Sequence, residues 1–261
     1  MTDRGVFVSR RAKERIEGKG ATEPRPLSAW RAADAYVLLA EPGAGKTRAF
    51  QTEAEASGGE YITARNFIAL GPTSRPPEGP LFIDGLDEVR AGSPSRREPL
   101  EEIRKQLNVL GRPRFRISCR EADWLGAVDR DALRAVAPSG ELSELHLLPL
   151  DDEEILAILS RNRSAAANAA EFLSQAKQHG VRALLGNPLL LNLMVEAVGS
   201  GDQWPNGRAD VYRLACERLA AEYNDEHRTE SKVAPSTEVL LDDAGLLSAL
   251  LLLSGTEGFA V

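Results

Sequence analysis

Residues 40 to 47 read Ala40-Glu41-Pro42-Gly43-Ala44-Gly45-Lys46-Thr47. Paired glycines followed by a lysine and a hydroxyl suit the binding of phosphate. Phosphate oxygens need many donors and no obstruction, and Gly43 and Gly45 let the backbone curl so that its N–H groups point inward. A helix opening at Lys46 adds the positive end of its dipole. Lys46 can reach the β- and γ-phosphates, and the Thr47 hydroxyl can ligate Mg²⁺. Glu41, Pro42, Ala44 and Arg48 complete the stretch expected against the nucleotide. Such loops usually open with glycine. Ala40 stands there instead, at little cost if it ends a strand with negative φ. Taken alone, the stretch also fits a Gly-rich turn before a surface lysine.

A second constellation follows. Leu81-Phe82-Ile83 is an apolar run ending in Asp84, 37 residues after Thr47. A central strand must be apolar, and a carboxylate at its end emerges beside the phosphates, where it can hold Mg²⁺ through water. Asp87 and Glu88 add two carboxylates within one turn. One of them can polarise an attacking water, a task for an ionised carboxylate near the γ-phosphate. Taken alone, these acids also fit a solvated turn. After a phosphate loop at this distance they indicate an NTPase using ATP or ADP with Mg²⁺.

The elements that must position these groups are legible in the hydrophobic pattern. Short apolar or alternating runs at 36–40, 60–63, 81–83, 114–118 and 142–148 predict five strands. Helices are expected at 47–56, ended by Gly58-Gly59, and at 94–110, where Leu100, Ile103, Leu107 and Leu110 share one face. Residues 71–80 hold four prolines and must be loop. Strands alternating with helices indicate a mainly parallel sheet between helices. After Pro149 only helical periodicity remains, at 152–160, 165–178, 188–198, 208–226 and 237–253. Asp151 and Glu154 have capping-box spacing. The expected organisation is therefore an N-terminal arm or linker (1–28), a P-loop nucleotide-binding domain (29–150), a smaller all-helical subdomain (151–235) and a further helical segment (236–261). The fold class is α/β.

Composition narrows the function. The chain has 261 residues, 43% apolar and 27% charged, which suits a globular protein with a real core. A net charge of −7 argues against a surface built for nucleic acid. Residues 1–25 carry seven basic and four acidic side chains, read as a solvated arm. No run of about 18 apolar residues exists to span a membrane, and the N-terminus lacks the apolar middle of a signal peptide. Cys119 and Cys216 fit a reducing, cytoplasmic compartment and no zinc spacing. Cys119 has no nearby histidine and reads as a buried small side chain. Trp124 reads as core. Trp30 fits either the adenine pocket or packing.

Glu41-Pro42-Gly43-Ala44-Gly45-Lys46-Thr47 with Phe82-Ile83-Asp84-Gly85-Leu86-Asp87-Glu88 resembles the NACHT family of STAND signal-transduction ATPases. Many P-loop ATPases place the glutamate directly after the aspartate; here the acidic pair comes three residues later. Arg114 to Arg120 is similar to the family's sensor strand, which implies that Arg120 faces the γ-phosphate and takes part in the chemistry with Asp87 or Glu88. A guanidinium there senses the terminal phosphate by charge-assisted hydrogen bonds; pairing with Glu121 or Asp123 is the structural alternative. Gly186-Asn187-Pro188-Leu189 resembles the family's Gly-x-Pro element, which implies that Pro188 packs near the adenine. Asn187 and Pro188 also make a good helix start.

The resemblance implies a slow ATPase acting as a nucleotide-gated switch of conformation and oligomerisation, in prokaryotic defence or signalling, and implies that 236–261 is the start of a further helical or winged-helix domain, expected to be truncated. Its partners would be nucleotide, further copies of itself, and a protein or phage-derived trigger. A multiple-turnover AAA+-like ATPase is the alternative and needs an arginine finger, for which Arg90, Arg96, Arg97, Arg130 and Arg134 are candidates. A nucleotide-binding scaffold without hydrolysis is the third reading. A small-molecule kinase fits less well, given Ala40 and the acidic cluster.

Overall fold

The computed structural model describes residues 8–16, 20–71, 79–93, 95–161, 168–201, 204, 210, 213, 216–217 and 236–254. The chain divides into two compact units, Met1–Ile158 with Asn187–Leu189, and Leu159–Gly186 with Leu190–Val261.

The first unit is a mixed α/β fold around one sheet. Its strands are β1 (Arg11–Ile16), β2 (Gly20–Ala21), β3 (Arg25–Pro26), β4 (Ala35–Ala40), β5 (Glu60–Thr63), β6 (Leu81–Asp84), β7 (Phe115–Arg120) and β8 (Ser143–Leu147). The order is β2-β1-β8-β4-β7-β6-β5, with β3 also paired to β1. The five strands expected from the sequence form a parallel core, β8-β4-β7-β6-β5. Every residue of β4 and of β6 is buried. That is why these segments read as unbroken apolar runs: a parallel strand is covered on both faces.

The helices of this unit are α1 (Lys46–Ser57), α2 (Ala64–Leu70), α3 (Leu86–Ala91), α4 (Glu98–Val109), α5 (Ala127–Arg134) and α6 (Asp152–Leu159), whose last residue belongs to the second unit. Side chains alternate across the sheet. Val37, Leu39, Ile83, Ile117 and Cys119 pack with Phe67, Leu86, Leu100, Ile103, Leu107 and Leu133. Tyr36, Leu38, Ala40, Phe82 and Leu145 pack on the other face with Ala49, Phe50 and Ala54 of α1. Arg116, 1% exposed, lies within this second layer. Its guanidinium donates to the carbonyls of Arg31, Ala33, Asp34 and Phe115 and stacks over Tyr36. Burial lowers its pKa.

Residues 1–28, expected to be an arm or linker, correct that expectation where they are described. β1 pairs antiparallel with β8 and closes an edge of the parallel core. Leu27 and Trp30 are buried against Tyr36 and Phe50, so Trp30 is a packing residue. The strand leaves no hydrophobic pattern in the sequence because it is largely solvated: only Ala12 of Arg11–Ile16 is buried, and charged residues fill most of the rest. Helix α4 begins at Glu98 rather than at residue 94, and α2, α3 and α5 were not anticipated. The capping box at the start of α6 forms as its spacing requires: Asp151 N donates to Glu154 Oε2 and Glu154 N to Asp151 Oδ1, each at 2.8 Å.

The second unit is helical in its described residues. It holds α7 (Ala169–Gln178), α8 (Pro188–Gly201, whose first two residues belong to the first unit) and a helix over Thr237–Ser254. Phe172, Leu173 and Ala176 of α7 are buried, and Trp204 lies between Phe172 and His179. The helix expected over 208–226 falls mostly outside the described residues. No described helix is long and apolar enough to cross a membrane.

Arg90 and Asp129 form a bidentate ion pair at 2.8 Å with both side chains 1% exposed. Removing one member leaves the other charged and buried, which costs about 3–5 kcal/mol. Asp129→Ala should therefore lower the unfolding free energy by about that amount, read from denaturant titration, whereas Asp131→Ala on the exposed side of α5 should change it by less than about 0.5 kcal/mol.

Candidate functional site

The phosphate loop sits where β4 ends and α1 begins. Gly43 has φ +73° and Gly45, the residue before α1, has φ +88°. Gly45 offers no side chain to cap the helix, and the first turn of α1 carries no acid, so the helix end keeps its positive character. Lys46 Nζ donates back to the carbonyls of Ala40 at 3.2 Å and Glu41 at 3.4 Å. Thr47 and Arg48 lie on that first turn, toward solvent.

The segment 187–189 belongs to the same unit and braces the loop. Asn187 Nδ2 donates to the Pro42 carbonyl at 2.8 Å, and Leu189 N donates to the Gly43 carbonyl at 3.3 Å. A Cβ on Gly43 would lie 2.7 Å from Leu189 Cβ and 2.9 Å from Asn187 Oδ1. Glycine is thus required there both by conformation and by close approach.

Arg10 is a part of the site that the sequence did not disclose. It is 6% exposed. Nη1 donates to the Ala44 carbonyl and Nη2 to the Leu148 carbonyl, both at 2.6 Å. Its Nε finds no acceptor among the described residues. Burial lowers its pKa, opposed by the charge of Glu154. The only sequence signal was an arginine in a charged stretch, which says nothing of burial. Arg10 lines a pocket of about 80 Å³ with Val8, Gly45, Arg48, Ala49, Leu150, Ile158 and Pro188. The pocket adjoins the loop, is mostly apolar, and includes the proline expected near the adenine.

Strand order brings the acidic end to the loop. β7 lies between β4 and β6, so the C-terminal ends of all three share one sheet edge, with β4 and β6 about 10 Å apart. Asp84, 7% exposed, ends β6. Ser118 Oγ donates to its Oδ1 and Tyr61 Oη to its Oδ2, the latter at 2.9 Å. Burial, then the Asp84 charge, push the Tyr61 phenol well above its ordinary pKa, so it remains a donor. Gly85 follows at φ +83°, turning the chain at once into α3. That short turn separates the two remaining acids. Asp87 is 6% exposed and faces β7; Glu88 is exposed, its carboxylate folded back over Gly85.

Arg120 pairs in register with Ala40 and contacts Asp87, not Glu121 or Asp123. Four of the arginine-finger candidates are engaged elsewhere: Arg90 with Asp129, Arg96 with Asp123, Arg130 with Glu144 and Arg134 with Glu141. Trp124 packs on the core, as expected. Cys119 is buried and its thiol is pushed up to about 12, by burial and then by Asp87, so it stays protonated and has no nucleophilic part. Glu121 leaves the edge to meet His146 Nδ1.

The residues fit a nucleotide and a hard cation. Gly43 and Gly45 give the loop the left-handed turns that aim N–H groups inward, the ammonium of Lys46 lies beside it, and the oxygen donors Thr47 and Asp84 are of the type Mg²⁺ takes. Among the described residues no cluster of three or more His, Cys, Asp and Glu side chains could hold a metal.

No protein-family model matches the chain, and no curated protein matches it. Among solved structures it is similar to the Holliday junction branch migration motor RuvB of Thermotoga maritima and to two variants of that protein. Each match has 16% sequence identity and a TM-score of 0.40 and covers 88% of this chain and 78% of that chain. At that distance the fold is read from the chain itself. A parallel sheet, a Gly-rich loop between β4 and α1, and an acid at the end of β6 make a P-loop NTPase fold.

Gly43→Ala should cost more than the roughly 1–2 kcal/mol that left-handed φ imposes on alanine, because its Cβ also meets Leu189 and Asn187. Gly58→Ala, at φ +63° with nothing within 4 Å, should cost the backbone part alone. Denaturant midpoints of the two variants provide the comparison.

Proposed function

We propose that this chain is an ATP-binding, slowly hydrolysing NTPase that works as a nucleotide-gated switch. The observation that carries the reading is that three neighbouring parallel strands end side by side, β4 in the phosphate loop, β6 in Asp84 with Glu88 in the first turn of the helix that follows, and β7 in Arg120.

In this reading the triphosphate lies along residues 41–48. Its oxygens take the loop's N–H groups, and Lys46 exchanges the Ala40 and Glu41 carbonyls for phosphate oxygens. The nucleobase enters the apolar pocket beside Pro188 and Arg10. Thr47 and Asp84 would hold Mg²⁺, which when bound neutralises phosphate charge. The hydroxyls of Tyr61 and Ser118 fix the orientation of the Asp84 carboxylate.

Exposure divides the acidic pair. Asp87 is buried against Arg120, whereas Glu88 presents its carboxylate at the edge. Glu88 is therefore the group that orients water and accepts its proton. Arg120 makes the difference between ATP and ADP, because only a third phosphate reaches it. A switch needs that difference, since a ligand moves an equilibrium only by its differential affinity for the two states. The NACHT resemblance supports the finer assignment through the Asp84-Gly85-Leu86-Asp87-Glu88 spacing. It alone motivates self-association on activation, a protein or phage-derived trigger and a role in defence or signalling; the cytoplasmic setting rests also on the two cysteines.

Lys46→Ala should abolish ATP binding, measured by calorimetry or with a fluorescent nucleotide; unchanged affinity would contradict the phosphate-loop reading. Glu88→Gln should retain binding and slow phosphate release by about 10²-fold or more, the usual scale of a general base. If Glu88→Gln hydrolyses at the wild-type rate, the water is oriented by another group.

A further inference from the structure

We propose that Asp87 is a positioning residue for Arg120 and not a base. This rests on the nucleotide-switch reading above and assigns one of its acids a different task.

The two oxygens of Asp87 are committed to one residue. Oδ1 accepts from the Arg120 backbone N–H at 3.1 Å, and Oδ2 forms an ion pair with Arg120 Nε at 2.8 Å. A guanidinium is planar and rigid, so holding both the main chain and Nε fixes the direction of the whole group. The closest approach is at Nε. Nη1 and Nη2 have no hydrogen-bond partner among the described residues, and the Arg120 side chain stays 48% exposed while that of Asp87 is 6% exposed. Arg120 stands in register with Ala40, the residue from which the phosphate loop departs. The clamp thus leaves two terminal nitrogens at the edge that carries the loop, with the fork that suits a phosphate oxygen pair.

The same geometry removes Asp87 from the hydrolytic step. To take a proton from water it would have to turn from a charge-assisted pair inside a closed environment. Glu88, one residue on, is exposed and under no such constraint. The spaced acidic pair is then a division of labour: the first acid aims the arginine, and the second acts on water.

A double-mutant cycle tests this. Affinities for ATP and for ADP are measured on wild type, Arg120→Ala, Asp87→Asn and the double variant, together with single-turnover phosphate release. In Asp87→Asn the amide oxygen can still accept from one Arg120 donor, but the NH₂ group turns toward the other. Arg120→Ala should reduce the ATP-to-ADP affinity ratio by about tenfold or more, the scale of a charge-assisted hydrogen bond. Asp87→Asn should reduce it comparably, and the double variant should be no worse than either. Should Asp87→Asn keep the wild-type ratio while phosphate release collapses, Asp87 is the base and the proposal is overturned. Additive losses in the double variant overturn it as well. Arg120→Lys covers the case in which Asp87→Asn does not fold, since the arginine is half exposed. A lysine held by Asp87 has no second arm, so the ratio should fall as in Arg120→Ala; a retained ratio means that charge alone suffices and no clamp is needed. Failure of the underlying reading looks different: wild type itself would then bind neither nucleotide.

Discussion

The peptide plane is the constraint on which this site depends. In a planar unit the carbonyl and the N–H point in opposite directions, so tying a carbonyl outward turns an amide the other way. Five consecutive carbonyls of the loop, residues 40 to 44, each accept a hydrogen bond. Lys46 takes Ala40 and Glu41, Asn187 takes Pro42, the Leu189 amide takes Gly43, and Arg10 takes Ala44. When Lys46 turns from its two carbonyls to a phosphate, the ties from Asn187, Leu189 and Arg10 to the carbonyls of residues 42 to 44 remain, so the amides that follow them are already ordered. The entropy of arranging them is met when the chain folds, not when the ligand binds.

Three carboxylates within five residues would be alike if each were solvated. Strand end, turn and burial make them different. Asp84 closes β6 and receives two hydroxyl donors from neighbouring strands. Asp87 looks inward at the end of β7, and Glu88 looks out. What separates the last two is helical phase, about 100° between adjacent residues. The abrupt start of α3 at Gly85 makes that phase available so soon after the strand.

The local parts of this fold were legible in the sequence because they are periodic. The central strands β4 and β6 are apolar runs, the phosphate loop is marked by its glycines, and the 151–154 capping box follows from its spacing. The rest was hidden for physical reasons. β1 is mostly charged, with Ala12 its one buried residue, and so resembles a tail. Helices α2 and α3, at seven and six residues, are too short for a hydrophobic period to register. Pairings across long separations leave no local trace. That Arg120 would meet Asp87 rather than its neighbours Glu121 and Asp123 depends on β7 lying beside β6.

The phosphate loop is built on the same kind of long-range contact. The donors that fix its outer carbonyls come from residues 34 and 145 positions away, and Arg10 reaches a further 138 positions to Leu148. The cost of closing such loops grows only slowly with their length, so distant partners are not prohibitive once the sheet has formed. They arrive together, however. Arg10 and Arg11 are adjacent, and while Arg10 grips the phosphate loop, Arg11 pairs with Asp151 and Glu154 at the start of α6. One short piece of chain therefore holds both the loop and the first helix beyond the sheet. A Gly-rich segment by itself has too many conformations to present a fixed set of amides. Here its shape is set by groups that meet only when the α/β unit is assembled, so the motif names the chemistry while the distant contacts make the loop rigid enough for it.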